Sequence, residues 1–342
     1  MVKIRLGRTN LLAGRCSFGA LPIQRIPQQE AVYLLQKAYS NGINFYDTAR
    51  GYTDSEEKIG QALSKVRQNI IIATKTFAKD KETLFLHLET SLRNLKTDYI
   101  DIYQLHNPET LPVPGGPDGL YEGLLSAREK GYIRFISITN HRLGVATEAV
   151  KSGLYDTVQF PLSLLSSKEE LKLIDECKAS DVGLIAMKAL SGGLITRADS
   201  AFAFLNQFDN VVPIWGIQKE CELDEFLGFE KNPPQLDGPM LEVIEQYRSE
   251  FSGSFCRACG YCLPCPAGIP IPMAARMSLL LRRMPYQPFL TQEWQEKMNR
   301  IEACQECGRC KRQCPYELDT PSILRGMLED YRQFCSSHGT VG

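Results

Sequence analysis

Eight apolar runs, each followed by a stretch with helical spacing, fill most of residues 15–230 and leave few folds open. They are CSFGA (16–20), INFYD (43–47), NIIIATK (69–75), YIDIYQLH (99–106), YIRFISITN (132–140), YDTVQF (155–160), VGLIAMK (182–188) and NVVPIWG (210–216). The runs are nearly continuous in apolar residues, as strands buried on both faces must be. Amphipathic segments such as 30–42 and 81–95 separate them. Alternation of this kind builds a parallel sheet, and eight units in a span close to the ~250 residues typical of the architecture predict an α/β fold, the closed (β/α)8 TIM-type barrel. An open doubly wound sheet is the rival, but no GxGxxG follows the first run. The preceding KIRLGRTNLL is expected to form a short hairpin on the barrel floor. Residues 1–230 are assigned to the barrel. Residues 231–253 are read as a Pro/Gly-rich linker (KNPPQLDGP, 231–239) with a helix near 240–251, and 254–342 as a separate domain.

That last segment holds most of the chain's 12 cysteines. One group is Cys256, Cys259, Cys262 and Cys265, followed by Pro266; the other is Cys304, Cys307, Cys310 and Cys314, followed by Pro315. Zinc sites usually use two separated CxxC pairs, whereas each group here is a single run of four. Runs ending in Cys-Pro match two-cluster ferredoxins, in which the fourth cysteine ligates the other cluster. On that pattern one [4Fe–4S] cluster takes Cys256, Cys259, Cys262 and Cys314, and the second takes Cys265, Cys304, Cys307 and Cys310. The gap before Cys265 is one residue shorter than usual. Helical spacing between the groups (MAARMSLLLRRM) predicts a small, mostly helical ferredoxin-like domain. Cys16, Cys177, Cys221 and Cys335 are expected to be small buried hydrophobes.

In a parallel barrel the reactive groups belong at the C-terminal ends of the strands. There the sequence places Asp47, Lys75, His106, Asn140 and Gln159, with Tyr52 in the loop after Asp47. Each alone has a structural explanation: a loop lysine, a hydrogen-bonded loop histidine, a helix N-cap. Polar groups at five successive strand ends are harder to explain that way. Tyrosine, with a pKa of about 10, is a poor acid near neutrality. A neighbouring lysine held by Asp47 is expected to lower that pKa and make Tyr52 a general acid for an oxyanion formed by hydride transfer.

GINFYDTARGYTDSEEKIGQAL, IIIATK, DIYQLH, SITN and DTVQF together resemble the aldo-keto reductase family in order and interval. The resemblance covers roughly residues 1–230. It implies that Asp47, Tyr52, Lys75 and His106 form the catalytic tetrad and that Thr139, Asn140 and Gln159 hold the nicotinamide carboxamide. It further implies that Leu190 to Gly193 and Gly216 line the pyrophosphate of NADP or NAD. The chain departs from the family after the eighth run. WGIQKECELDEF carries Lys219 as its only cation where many NADPH-using members have a basic and hydroxyl cluster, and Phe226 stands where an asparagine near the adenine is common. Phe160-Pro161 likewise replaces the usual tyrosine-asparagine pair. The whole arrangement resembles the iron–sulfur-containing branch of the family.

A formal net charge of −1 and the absence of a long apolar run lead us to expect a cytoplasmic chain with neither a nucleic-acid nor a membrane partner. The expected activity is reduction of a small-molecule carbonyl, or oxidation of an alcohol, with the clusters carrying electrons to or from a redox partner protein. The alternative is a redox-sensing or electron-transfer subunit whose barrel binds nicotinamide and whose clusters serve a partner. Clusters that only fold the C-terminal domain are also open, since a hydride carries two electrons and each cluster one.

Overall fold

The computed structural model describes residues 1–251, 255–283 and 286–338. The expected domain boundary at 253/254 and Met284, the end of the expected helical run, lie outside them. The chain divides into two compact units, Met1–Ser191 with Ile195–Arg248, and Gly192–Leu194 with Ser249–Gly342.

The first unit opens with an antiparallel hairpin, β1 (Lys3–Arg5) and β2 (Leu12–Gly14). Eight parallel strands follow: β3 (Ser17–Gly19), β4 (Phe45–Asp47), β5 (Ile71–Thr76), β6 (Ile100–His106), β7 (Ile133–Thr139), β8 (Thr157–Pro161), β9 (Gly183–Met187) and β10 (Val211–Gly216). They close into a barrel in chain order, with β10 pairing back to β3. Each coincides with one of the eight apolar runs. The hairpin seals the floor, because Ile4, Leu6, Leu11 and Ala13 pack with Phe45, Ile71, Ala73, Ile102, Ile185, Val212 and Ile214 in one buried cluster.

Helices cover the strands: α1 (Gln28–Ser40), α2 (Ser55–Leu63), α3 (Lys81–Leu95), α4 (Leu120–Glu129), α5 (Leu143–Ser152), α6 (Lys168–Ala179), α7 (Ala198–Asn206) and α8 (Glu220–Lys231). Their starts are set locally. Asp80 accepts from Thr83 N at 2.7 Å, and Ser167 with Glu170 forms a capping box. Close approach of α2 to the end of α3 requires Gly60, since a Cβ there would collide with Asn94 O. A ninth helix, α9 (Gly238–Glu250), matches the expected helix near 240–251, yet it clusters with the barrel as far as Arg248. Tyr247 explains this: its hydroxyl accepts from Thr196 N and Arg197 N, both at 3.1 Å.

The second unit is helical: α10 (Ile271–Ala274), α11 (Met277–Arg283), α12 (Gln292–Asn299), α13 (Arg309–Arg312) and α14 (Thr320–His338). Leu324, Leu328 and Tyr331 lie along one stripe of α14 and enter a core with Ile271, Met277, Leu290, Met298 and Ile301. Cys256, Cys262, Cys265, Cys304 and Cys310 pack against that core. Among the four cysteines expected to be buried, Cys16 and Cys177 are, Cys335 is half-buried, and Cys221 is exposed.

Candidate functional site

Side chains alternate along a strand, so Ile71 and Ala73 on the floor-facing side of β5 put Lys75 on the same side at the barrel mouth. The same count carries Phe45 to Asp47, Ile102 through Gln104 to His106, and Ile185 to Met187. Lys75 Nζ lies 2.5 Å from Asp47 Oδ1 and donates to Thr48 O at 2.7 Å, with both charged side chains buried. Gln104 Nε2 donates to Asp47 Oδ2 at 3.1 Å, and Gln159 Nε2 to Asp47 Oδ1 at 3.3 Å. Burial pushes the Asp47 carboxyl up and the Lys75 ammonium down; their mutual contact opposes both shifts and keeps them an ion pair.

Above this pair, Lys75 Nζ stands 5.2 Å from the centre of the Tyr52 ring, and that ring meets His106 edge-on with centroids 6.0 Å apart. The four residues expected to form the tetrad are therefore brought together. The expected acidification of Tyr52 is not found. Burial first, and the Asp47 charge second, push its phenol above the usual value. The lysine charge that was to lower it is committed to Asp47 and the Thr48 carbonyl. His106 is driven the other way: burial, then the charges of Lys75 and Lys188, hold its pKa well below 6.5, so the imidazole is neutral. Phe77 stacks on it at 3.9 Å and 15°.

The remaining expected residues divide. Thr139, on the inner face of β7, is buried beside Met187, with Oγ1 to Sδ at 3.7 Å. Gln159 is buried and its Oε1 has no partner among the described residues, as is true of His106 Nδ1. Two orphaned polar atoms at the mouth fit a bound group with a donor and an acceptor, as a nicotinamide carboxamide and a carbonyl substrate are. Asn140 has the opposite strand parity. Its amide is engaged by loop backbone, donating to Pro108 O in the loop after β6 and accepting from Arg142 N in its own loop, each at 2.8 Å. Gly216 closes β10, exposed, with Pro22 beside it. Leu190 is half-buried, and Gly193, at φ +91°, falls in the short segment that clusters with the second unit. Phe226, which stands in place of the family's asparagine, is buried and stacked on Trp215 at 4.4 Å. Gln104 and Phe77 were missed, although Gln104 lies two residues before His106 on β6 and Phe77 two residues after Lys75, just past the end of β5.

In the second unit two small cavities are ringed by cysteines. Cys256, Cys259, Cys262 and Cys314 line the first. Cys265, Cys304, Cys307 and Cys310 line the second, with Cys262 between the two. Among the described residues no three His, Cys, Asp or Glu side chains are grouped so as to hold a single metal ion. Four soft ligands around a space, rather than at a point, suit a polynuclear iron–sulfur group.

The aldo/keto reductase family matches residues 10–216, which is most of the first unit. The chain belongs to the aldo-keto reductase family. A 4Fe-4S dicluster domain matches residues 255–319. This aldo-keto reductase is thus an NAD(P)-dependent oxidoreductase with an iron–sulfur domain on its C-terminal side. It is 30% identical to the L-galactose dehydrogenase of Arabidopsis thaliana over 219 residues, which are 58% of this chain and 69% of that protein. It is 29% identical to an uncharacterized oxidoreductase of Bacillus subtilis over 213 residues, 58% of this chain and 67% of that one. An aldo-keto reductase of Bacillus halodurans has the same barrel, with a TM-score of 0.64 at 22% identity, covering 72% of this chain and 96% of that one. A Klebsiella pneumoniae aldo/keto reductase, in complex with NADP and acetate, superposes with a TM-score of 0.60 at 21% identity over 72% of this chain and 95% of that one. At these identities the likeness shows the fold. Among the described residues, no helix is long and apolar enough to cross a membrane.

Proposed function

We infer that this aldo-keto reductase reduces the carbonyl of a small molecule, or runs the reverse oxidation, with Tyr52 as proton donor and two [4Fe–4S] clusters that take part in electron transfer. The observation that carries the reading is the buried Asp47–Lys75 pair beneath Tyr52 and His106 at the barrel mouth. Bound nicotinamide would supply or accept the hydride. Tyr52 holds its proton firmly in the resting site, since burial and Asp47 disfavour the phenolate. Donation is still downhill once an alkoxide forms, because an alkoxide is more basic than a phenolate. The phenolate left behind, which burial and Asp47 disfavour, takes a proton back from solvent, while Lys75, fixed by Asp47 and Thr48 O, lies 5.2 Å from the ring centre. His106, neutral, offers a hydrogen bond to the carbonyl oxygen without adding a second cation. Gln159 Oε1 is the acceptor best suited to a carboxamide N–H.

The two ringed cavities support the crossed ligand sets expected from the sequence: Cys256, Cys259, Cys262 and Cys314 for one cluster, Cys265, Cys304, Cys307 and Cys310 for the other. Protein purified without oxygen is expected to contain about eight iron and about eight acid-labile sulfide per chain and to reduce model aldehydes with a nicotinamide cofactor. Zinc without sulfide, or iron protein that turns over no carbonyl, would overturn the corresponding half of the proposal.

NADH is the cofactor we expect it to favour. At the head of α8 the Glu222 carboxylate accepts from Gln218 N at 2.9 Å and Lys219 N at 3.1 Å. In the resemblance this is the segment that grips the 2′-phosphate. Here a fixed negative charge already occupies those amides and would repel that phosphate. Glu222→Ala is expected to raise kcat/KM for NADPH at least about tenfold while changing that for NADH little, a difference of about 1.4 kcal/mol. An unchanged ratio of the two values would show that Glu222 does not discriminate.

A further inference from the structure

Of the eight cysteines around the two cavities, Cys307 alone is exposed; the other seven are half-buried. The chain next to it is cationic. Helix α13 places Arg309, Lys311 and Arg312 within four residues, and Arg312 Nη1 donates to Cys307 O at 3.0 Å. Among the described residues no carboxylate pairs with Arg309 or Arg312, and Lys311 has only Asp319 at 3.7 Å, both side chains being well exposed. Of the acids close by in sequence, Glu306 pairs with Arg325 at 3.3 Å and Glu302 with Arg332 at 2.7 Å, which leaves exposed Glu317 against the three cations of α13. The other cysteine run contrasts with this one. Its one cation is Arg257, whose guanidinium lies 4.5 Å from the centre of the Tyr316 ring.

An open groove that reaches Cys304 is lined by Ile301, Leu324 and Leu328, by the ion pairs Glu302–Arg332 and Glu306–Arg325, and by Glu329. Apolar contact area next to a basic ridge is how a transient, charge-steered protein encounter is built. Two facts thus coincide at one place: the cluster ligand nearest to solvent, and unbalanced positive charge.

We propose that the Cys307 face of the C-terminal unit is the docking port for a small acidic one-electron carrier protein of the ferredoxin type. This rests on the two-cluster reading above. One electron leaves the reduced carrier, which becomes oxidised, and enters the cluster held by Cys265, Cys304, Cys307 and Cys310, lowering it from its +2 to its +1 level. No bond forms or breaks and no proton moves. Two such encounters load two clusters with the two electrons that a hydride carries. The encounter is weak and salt-sensitive, as redox contacts with small interfaces are.

The test uses the full-length holoprotein under anaerobic conditions and a reduced, acidic plant-type [2Fe–2S] ferredoxin as probe. Stopped-flow absorbance follows cluster reduction, and calorimetry measures binding of the oxidised probe. The second-order rate is expected to fall steeply as ionic strength rises. At low salt, Arg309→Glu with Lys311→Glu is expected to lower the rate, and weaken binding, at least about tenfold with iron content unchanged. If that variant loses iron, Arg309→Gln with Lys311→Gln keeps the test open and is expected to lower both about threefold. A parent rate indifferent to salt, or variants that match the parent, would overturn the port. Failure of the underlying reading looks different. Protein holding zinc and no sulfide would then show no cluster absorbance for the ferredoxin to bleach.

Discussion

Replacing Tyr52 by Phe is expected to lower carbonyl reduction by ~10²–10⁴-fold, the usual worth of a positioned general acid. Nicotinamide should still bind with nearly unchanged affinity. The substitution removes one oxygen and keeps the ring, so the edge-on contact with His106 at 6.0 Å survives. Because the phenol is pushed up rather than down, the wild-type rate should show no loss through Tyr52 ionisation as pH rises across the neutral range. Stopped-flow measurement of hydride transfer, with separate titration of nicotinamide fluorescence, distinguishes the two effects. A variant as fast as the parent would remove Tyr52 from the chemistry. A variant that no longer binds nicotinamide would show that the hydroxyl positions the cofactor instead.

Lys75→Met should do more than abolish turnover. It leaves the Asp47 carboxylate buried with only the amides of Gln104 and Gln159 for company. Breaking one partner of a buried pair costs about 3–5 kcal/mol, out of roughly 5–15 kcal/mol for a whole domain. For a unit of this size the melting midpoint should drop by roughly 10 °C. Burial already holds Asp47 above the ordinary carboxyl value with the lysine present, and losing the lysine raises it further. A carboxyl whose folded pKa exceeds its unfolded one is most stable protonated, so the deficit grows as pH rises above about 4 and shrinks below it. Calorimetry at several pH values reads this directly. Asp47→Asn combined with Lys75→Met should recover most of the stability and none of the activity. A single variant that melted like the parent at neutral pH would mean that the pair is not buried as a pair.

Much of this was legible in the chain because strands and cysteine runs carry rigid spacing. Eight apolar runs became eight barrel strands, and KIRLGRTNLL became the floor hairpin. The strand-end residues were legible for the same reason, but reading only the last polar residue of each run hides parity. Gln104 shares a face with His106 and was passed over because an amide in mid-strand does not advertise chemistry. Asn140 sits one residue beyond Thr139 and so turns away from the mouth, towards the backbone of the loop after β6. The protonation of Tyr52 was not legible, since it depends on how deeply the ring is enclosed and on where the lysine charge is spent. Nor was the attachment of α9 to the barrel, which hangs on the Tyr247 hydroxyl and the backbone at 196–197. A Pro/Gly-rich stretch before a helix marks a flexible connection in sequence without saying which side the helix joins.

The account stands or falls on whether the barrel and the clusters share electrons. The direct measurement is anaerobic addition of NADH, with an aldehyde absent and no mediator, to full-length protein of known iron and sulfide content. The account predicts that the broad visible absorbance of the clusters bleaches, with one NADH consumed for each pair of clusters reduced. Clusters that stay fully oxidised under NADH, in protein that reduces an added aldehyde at full rate, would contradict it.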